Sequence, residues 1–140
     1  MSYQVSWGRD VGSATISTID ELNAVLDTIG PVEEDIAYSV AITALDVAHT
    51  ATIPPLLEIG IGHPQRSFVY HVGADGTSAW GYQPDLPATP DVYADYGGVV
   101  SELWPERARV TPTTARQAAQ QFLTNNAQRP TCLRWDPAEQ

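Results

Sequence analysis

Apolar and polar residues alternate from the start of the chain: Tyr3, Val5 and Trp7 are separated by Gln4 and Ser6. A period of two puts alternate side chains on opposite faces, so these residues read as a half-buried strand. Gly8-Arg9-Asp10 reads as a turn, and Val11 to Ile16 as a second short strand. The period then changes. Thr18-Ile19-Asp20-Glu21 has capping-box spacing, and Ile19, Leu22, Val25, Leu26 and Ile29 recur at helical intervals. This predicts a helix over 19–29, stopped by Gly30-Pro31.

Beyond an acidic run at Glu33-Glu34-Asp35, which reads as a solvated face, Tyr38, Val40, Ile42 and Ala44 alternate again. Their alanine-rich neighbours also allow a helix, and strand is the preferred reading. His49 to Pro55 is expected as loop. Leu57, Ile59 and Ile61 predict a strand ended by Gly62 and His63-Pro64, and Phe68, Tyr70 and Val72 predict another. Ala74-Asp75-Gly76 supplies a tight reversal. Trp80 and Tyr82 then share one face of a short strand, and the prolines between Gln83 and Pro90 exclude regular structure there.

Val92 to Tyr96 reads as an edge strand ending at Gly97-Gly98. Thr111-Pro112 starts a second helix, with Thr as cap and Pro at the first position, where its missing N–H costs nothing. Ala115, Ala118, Ala119, Phe122 and Leu123 form its apolar face, and Asn125-Asn126 ends it. Thr131 to Trp135 is expected as a final strand with Cys132 or Leu133 inward, and residues 136–140 as a flexible tail. The result is an α+β fold in one domain, residues 1–140. It should be a mainly antiparallel sheet of six to eight short strands with two amphipathic helices.

Composition narrows the function. Of 140 residues 43% are hydrophobic and 17% charged, a balance that builds one real core and excludes a disordered chain. Seventeen acids oppose seven bases, all arginine, for a net charge of -10. Phosphate binding needs clustered cations, so direct binding of nucleic acid or an anionic membrane is disfavoured, and a basic partner is the natural complement. Acidity also serves plain solubility. The single Cys132 excludes an internal disulfide and a cysteine-cluster zinc site. No basic start followed by an apolar run marks a signal peptide, and no stretch nears the ~18 apolar residues of a membrane span, so the cytoplasm is the expected location.

Catalytic chemistry is not apparent. His49, His63 and His71 have no second ligand at metal spacing, and His71 is expected at the surface or half-buried. Gly60-Ile61-Gly62 lacks the third glycine and the helix of a nucleotide loop. Cys132 fits a buried, inert thiol, and nothing around Ser67 or Ser78 resembles a nucleophile elbow. Asp91 and Asp95 lie on a polar segment with no evident means of shifting their titration. No catalytic residue, metal or cofactor is expected. What stands out is the run from Trp80 to Trp104. There Trp80, Tyr82, Tyr93, Tyr96 and Trp104 interleave with Asp85, Asp91, Asp95, Glu102 and Glu106, with no base between Arg66 and Arg107. Aromatic anchors framed by acids suit a cationic protein surface. Trp80 and Trp104 are expected in the core, Tyr93 and Tyr96 at the surface.

The chain resembles the type 1 family of immunity proteins that accompany polymorphic toxins in bacteria, actinobacteria especially. The resemblance runs from Ile19-Asp20-Glu21-Leu22-Asn23-Ala24-Val25-Leu26-Asp27 through Leu57-Glu58-Ile59-Gly60-Ile61-Gly62 and Ser67-Phe68-Val69-Tyr70. It closes with Glu102-Leu103-Trp104-Pro105, Gln121-Phe122-Leu123 and Arg129-Pro130-Thr131-Cys132-Leu133-Arg134-Trp135. Trp104 stands where Phe is commoner, and Asn125-Asn126-Ala127-Gln128 replaces a Gly-rich turn. The resemblance implies a non-enzymatic inhibitor that binds a cognate toxin domain in the producing cell, a nucleic-acid cytosine deaminase first among candidates. A toxin acting on nucleic acid should be basic around its active site, which an acidic inhibitor complements. The expected toxin interface is Asp85, Asp91, Tyr93, Asp95, Tyr96, Glu102 and Trp104, docked on the substrate cleft. The rival readings are an acidic nucleic-acid mimic that inhibits a nuclease toxin, and a small ligand-binding domain.

Overall fold

In the computed structural model of the chain, residues 2–7, 12–29, 36–45 and 54–138 are described. Strand β1 (Tyr3–Trp7) runs antiparallel to β2 (Gly12–Ile16) on one edge and to β3 (Ile36–Ala44) on the other. On the far side of β3 the antiparallel order continues through β4 (Leu56–Ile61), β5 (Val69–Val72) and β6 (Ser78–Tyr82). Two short strands lie off this path. β7 (Tyr93–Asp95) pairs parallel with Ile36–Tyr38 of β3, on the edge that β1 occupies further along, and β8 (Val100–Glu102) pairs antiparallel with β7. The last strand, β9 (Arg134–Pro137), closes against β6. With nine strands and two α-helices among the described residues, the fold is α+β and mainly antiparallel.

The alternation seen in the sequence sets the two faces of this sheet. Tyr3, Val5, Val40, Ile42, Ala44, Leu57, Ile59 and Val69 all point one way and join the main core. Helices α1 (Ile19–Thr28) and α2 (Pro112–Thr124) cover that face with Leu22, Leu26, Ala115, Ala118, Ala119 and Phe122, all buried. Each large side chain buried this way contributes about 1.5–3 kcal/mol. The alanines of α2 are small enough to bring that helix against β4.

Both helix starts form as the sequence indicates. Thr18 Oγ1 accepts the Glu21 amide at 3.1 Å while Glu21 Oε1 accepts the Thr18 amide at 3.2 Å. Thr111 Oγ1 accepts the Thr114 amide, with Pro112 opening the helix. The end of α2 is less ordinary. Asn126 and Ala127 both take positive φ, 54° and 62°, which explains why glycine suits this turn. Ala127 N–H donates back to the Phe122 carbonyl at 2.9 Å, and the Tyr3 hydroxyl donates to that of Leu123 at 3.1 Å.

Several elements differ from expectation. The sheet has a ninth strand because Gly97-Gly98 does not end β7; both glycines take positive φ, 88° and 100°, and turn the chain straight back into β8. The final strand starts three residues late, at Arg134. Gln121 Oε1 on α2 accepts the amides of Thr131 and Cys132, at 2.9 and 3.1 Å, and withdraws them from the sheet. Leu133 is the inward residue. Asp136 and Pro137, expected in the tail, pair with Trp80 and Ala79. The readings for 8–11, 30–35, 49–53 and 139–140 fall outside the described residues.

His71 is buried rather than half-exposed, 3% accessible, between the rings of Phe122 and Trp135. Its Nε2 lies 3.3 Å from the Ala127 carbonyl, and its Nδ1 has no partner. Burial depresses its titration below the ordinary value, outweighing the pull of that carbonyl. Protonation therefore favours the unfolded chain, so stability is complete above the ordinary histidine pKa of 6.5 and falls as pH drops through it. Urea unfolding should show the wild type losing stability between about pH 7.5 and 5.5. His71→Leu should flatten that slope, and an equally steep slope in the variant would assign the loss to other groups.

Candidate partner-binding face

Among the described residues, no α-helix covers the opposite face of the sheet. Apart from Ala41, its strand residues are polar or aromatic, and all are at least partly exposed: Gln4 and Ser6 on β1, Ser39 and Thr43 beside Ala41 on β3, Glu58 on β4, Tyr70 on β5, Trp80 and Tyr82 on β6. At one end a second core cluster forms over it from Ala37, Phe68, Val92, Ala94, Leu103 and Ala108. Gly60 lies beneath, where a Cβ would come within 2.8 Å of Ala37 and 2.9 Å of Phe68. That glycine serves packing and not phosphate binding. A line of rings leads out from the cluster. Phe68 lies 5.8 Å from Tyr96 and 6.2 Å from Trp80, and Trp80 lies 4.7 Å from Tyr70.

The 3-10 turn Pro105–Ala108 delivers Arg107 onto this line. Its guanidinium sits 4.3 Å above the Trp80 ring and 5.0 Å from that of Trp104, so one cation bridges two indoles. Trp104, expected in the core, is 66% exposed; the inward residue of this segment is its neighbour Leu103, whose amide donates to the Val92 carbonyl. Trp80 is half-buried and packs on the second core cluster.

The residues expected at an interface divide across the sheet. The pairs Tyr93–Glu102 and Asp95–Val100 share the face of Ile36 and Tyr38, while Ala94 and Ser101 share the other. Tyr96 contacts Phe68 on the helix-free side. Tyr93 and Glu102 are thus separated by the alternation from Tyr96. Asp95 is buried, 7% accessible, and its Oδ1 accepts the Gly98 amide at 2.7 Å. It holds the β7–β8 turn, with little of its surface exposed. Asp85 and Asp91 are exposed but lie outside the hairpin, in the proline-rich loop and at its end. Asp91 takes φ 66° there. Arginines fix that loop: Arg109 donates to the carbonyls of Leu86 and Pro84, and Arg66 to those of Pro87 and Ala108.

Glu58 was not singled out in the sequence, although its place between Leu57 and Ile59 puts a charge on the face opposite the core. Burial raises its pKa above the ordinary carboxylate value, against the lowering effect of a hydrogen bond from Ser39. Tyr96 is also raised, first by burial and then by the Glu58 charge. The reactive-residue types are otherwise accounted for structurally. Ser67 is buried and donates to the Gly60 carbonyl at 2.7 Å, His63 Nδ1 accepts the Gln65 and Arg66 amides, and burial raises the Cys132 thiol. Among the described residues no three His, Cys, Asp or Glu side chains converge as a metal site.

The sequence matches the family model for Immunity protein Imm1 over residues 11–137. The chain belongs to the Imm1 family. No curated protein matches it. Membership of Imm1 assigns an immunity role, exercised by binding a cognate toxin protein, in a family that is generally non-enzymatic. The closing segment of this Imm1 chain has a structural explanation. Gln121 clamps the amides of Thr131 and Cys132, the Trp135 indole donates to the Pro130 carbonyl at 2.9 Å, and Arg129 stacks on Trp135.

Asp95→Ala should cost about 1–3 kcal/mol in urea unfolding and speed hydrogen exchange at the Gly98 amide. Glu102→Ala, on an exposed edge, should stay within about 0.5 kcal/mol of wild type. Equal effects would contradict the division of roles between the two carboxylates.

Proposed function

We propose that this protein binds its cognate toxin with the helix-free face of the sheet and the β7–β8 hairpin beside it, in the cytoplasm of the producing cell. It blocks the cleft through which the toxin takes its substrate. One observation carries this. Of the five exposed large apolar side chains among the described residues, only Leu45 lies elsewhere; Tyr96, Val99, Val100 and Trp104 crowd into the hairpin and the residues after it. Exposed aromatics beside a stacked arginine make the kind of centre that dominates binding energy. β8, exposed along its whole length, adds an open strand edge. Of the residues expected from the sequence, Tyr96 and Trp104 form the centre of this surface, with Tyr93, Glu102, Asp85 and Asp91 as its surround.

The toxin class we propose is a nucleic-acid cytosine deaminase, the class that the family resemblance brings forward. Its phosphate-binding cleft would be basic, and this chain carries a net charge of -10. The inhibitor then works by occupying a surface, with an apolar centre for affinity and a negative field for rapid association.

Equimolar wild-type protein should abolish deamination of a single-stranded oligonucleotide by the toxin domain encoded next to it. Trp104→Ala should weaken the complex at least about tenfold without moving the unfolding midpoint, because the side chain packs on little besides Arg107. Unchanged affinity in calorimetric titration would place the toxin on another surface.

A further inference from the structure

The helix-free face holds a depression of 440 Å³ where the end of β1 and the start of β2 approach the β7–β8 turn. Its lining includes Ser6, Trp7, Ser39, Glu58, Tyr96 and Gly97. The volume falls within the range of specific binding pockets, about 300–1,000 Å³. One aromatic side chain, Tyr96, stands at its wall, and one carboxylate, Glu58, lies within it.

Glu58 is the unusual member. A carboxylate withdrawn from water on a strand loses hydration, and that loss is normally offset by a cation. Here the neighbour is the Ser39 hydroxyl. The ion pairs among the described residues lie elsewhere, Arg116 with Asp27 at 2.9 Å and Arg109 with Glu106 at 4.0 Å. A half-buried carboxylate beside an aromatic wall, with no ion pair among the described residues, is the complement of a guanidinium or ammonium group.

We infer that this depression receives a basic side chain of the toxin, arginine or lysine, with the Glu58 carboxylate as its counter-charge and Tyr96 as its aromatic wall. The inference rests on the toxin-binding reading and deepens it. Trp104 and its neighbours supply apolar contact, and Glu58 supplies a single buried ionic contact that selects the partner. The charge is kept despite its cost to the free protein because the complex provides what the free protein lacks.

The test compares wild type with Glu58→Gln, which keeps the shape and removes the charge, and uses Asp20→Asn on α1 as a control acid on the helix-covered side. The free Glu58→Gln protein should unfold at the same midpoint or a higher one. A lower midpoint would mean that the carboxylate is already compensated within the free chain, and would overturn the inference. Against the catalytically disabled toxin domain, Glu58→Gln should lose at least about 30-fold in affinity and Asp20→Asn almost nothing. Equal binding by wild type and Glu58→Gln would overturn the pocket and leave the immunity role standing. Should wild type not bind that toxin at all, the toxin assignment fails separately. The pocket is then read with N-acetyl-arginine amide: a saturable shift of the Tyr96 ring resonances, lost in Glu58→Gln, supports it, and its absence overturns it.

Discussion

Strand β3 is hydrogen-bonded on both sides, to β4 along one edge and to β7 and then β1 along the other, and its strict alternation divides the molecule. Tyr38, Val40, Ile42 and Ala44 point to the helices, while Ser39, Ala41 and Thr43 point away. Because a strand's side chains have a period of two, a one-residue slip would carry the core residues to the other face. The apolar demand of one face thus locks the position of every polar group on the other. Glu58 is set opposite Ala41 by the same register that buries Leu57 and Ile59. Rigidity at the proposed binding face is in this sense a by-product of core packing.

Charge is distributed in a complementary way. Arg66 and Arg109 hold the proline-rich loop, Arg116 pairs with Asp27, Arg129 stacks on Trp135, and Arg107 lies between Trp80 and Trp104. These cations are engaged with the chain's own groups, most of them in fixing loops and turns. Many of the acids lie on exposed positions, where a negative field would steer the basic toxin proposed above over distances of about a Debye length, 8–10 Å at moderate salt. In that proposal the field speeds encounter, whereas the exposed apolar groups of the hairpin and the half-buried carboxylate of Glu58 set how long the complex lasts.

What could be read from the sequence was local. Helix caps depend on residues three apart, so Thr18-Glu21 and Thr111-Pro112 announced both helices, and the strand alternation announced the sheet. Contacts remote in sequence were hidden. The start of β9 is set by Gln121 on α2, and β8 depends on Gly97-Gly98 acting as a turn instead of a stop. The site was legible in composition but not in direction. The aromatic and acidic run was visible, yet nothing local showed that Asp95 turns inward to Gly98, that Trp104 turns outward, or that Tyr93 and Tyr96 face opposite ways. Glu58 escaped notice because the alternation around it draws attention to Leu57 and Ile59, while the face it occupies acquires meaning only when β3 and β7 are brought beside it.

The central claim is that the helix-free face, with its hairpin, meets the toxin. Hydrogen exchange of the protein, free and bound to the catalytically disabled toxin domain, tests it most directly. The account predicts slower exchange on binding across residues 93–104 and in the segments that carry Ser39 and Glu58, with the solvent side of α1 unchanged. Protection confined to α1 and the start of α2, with residues 93–104 exchanging as in the free protein, would contradict it.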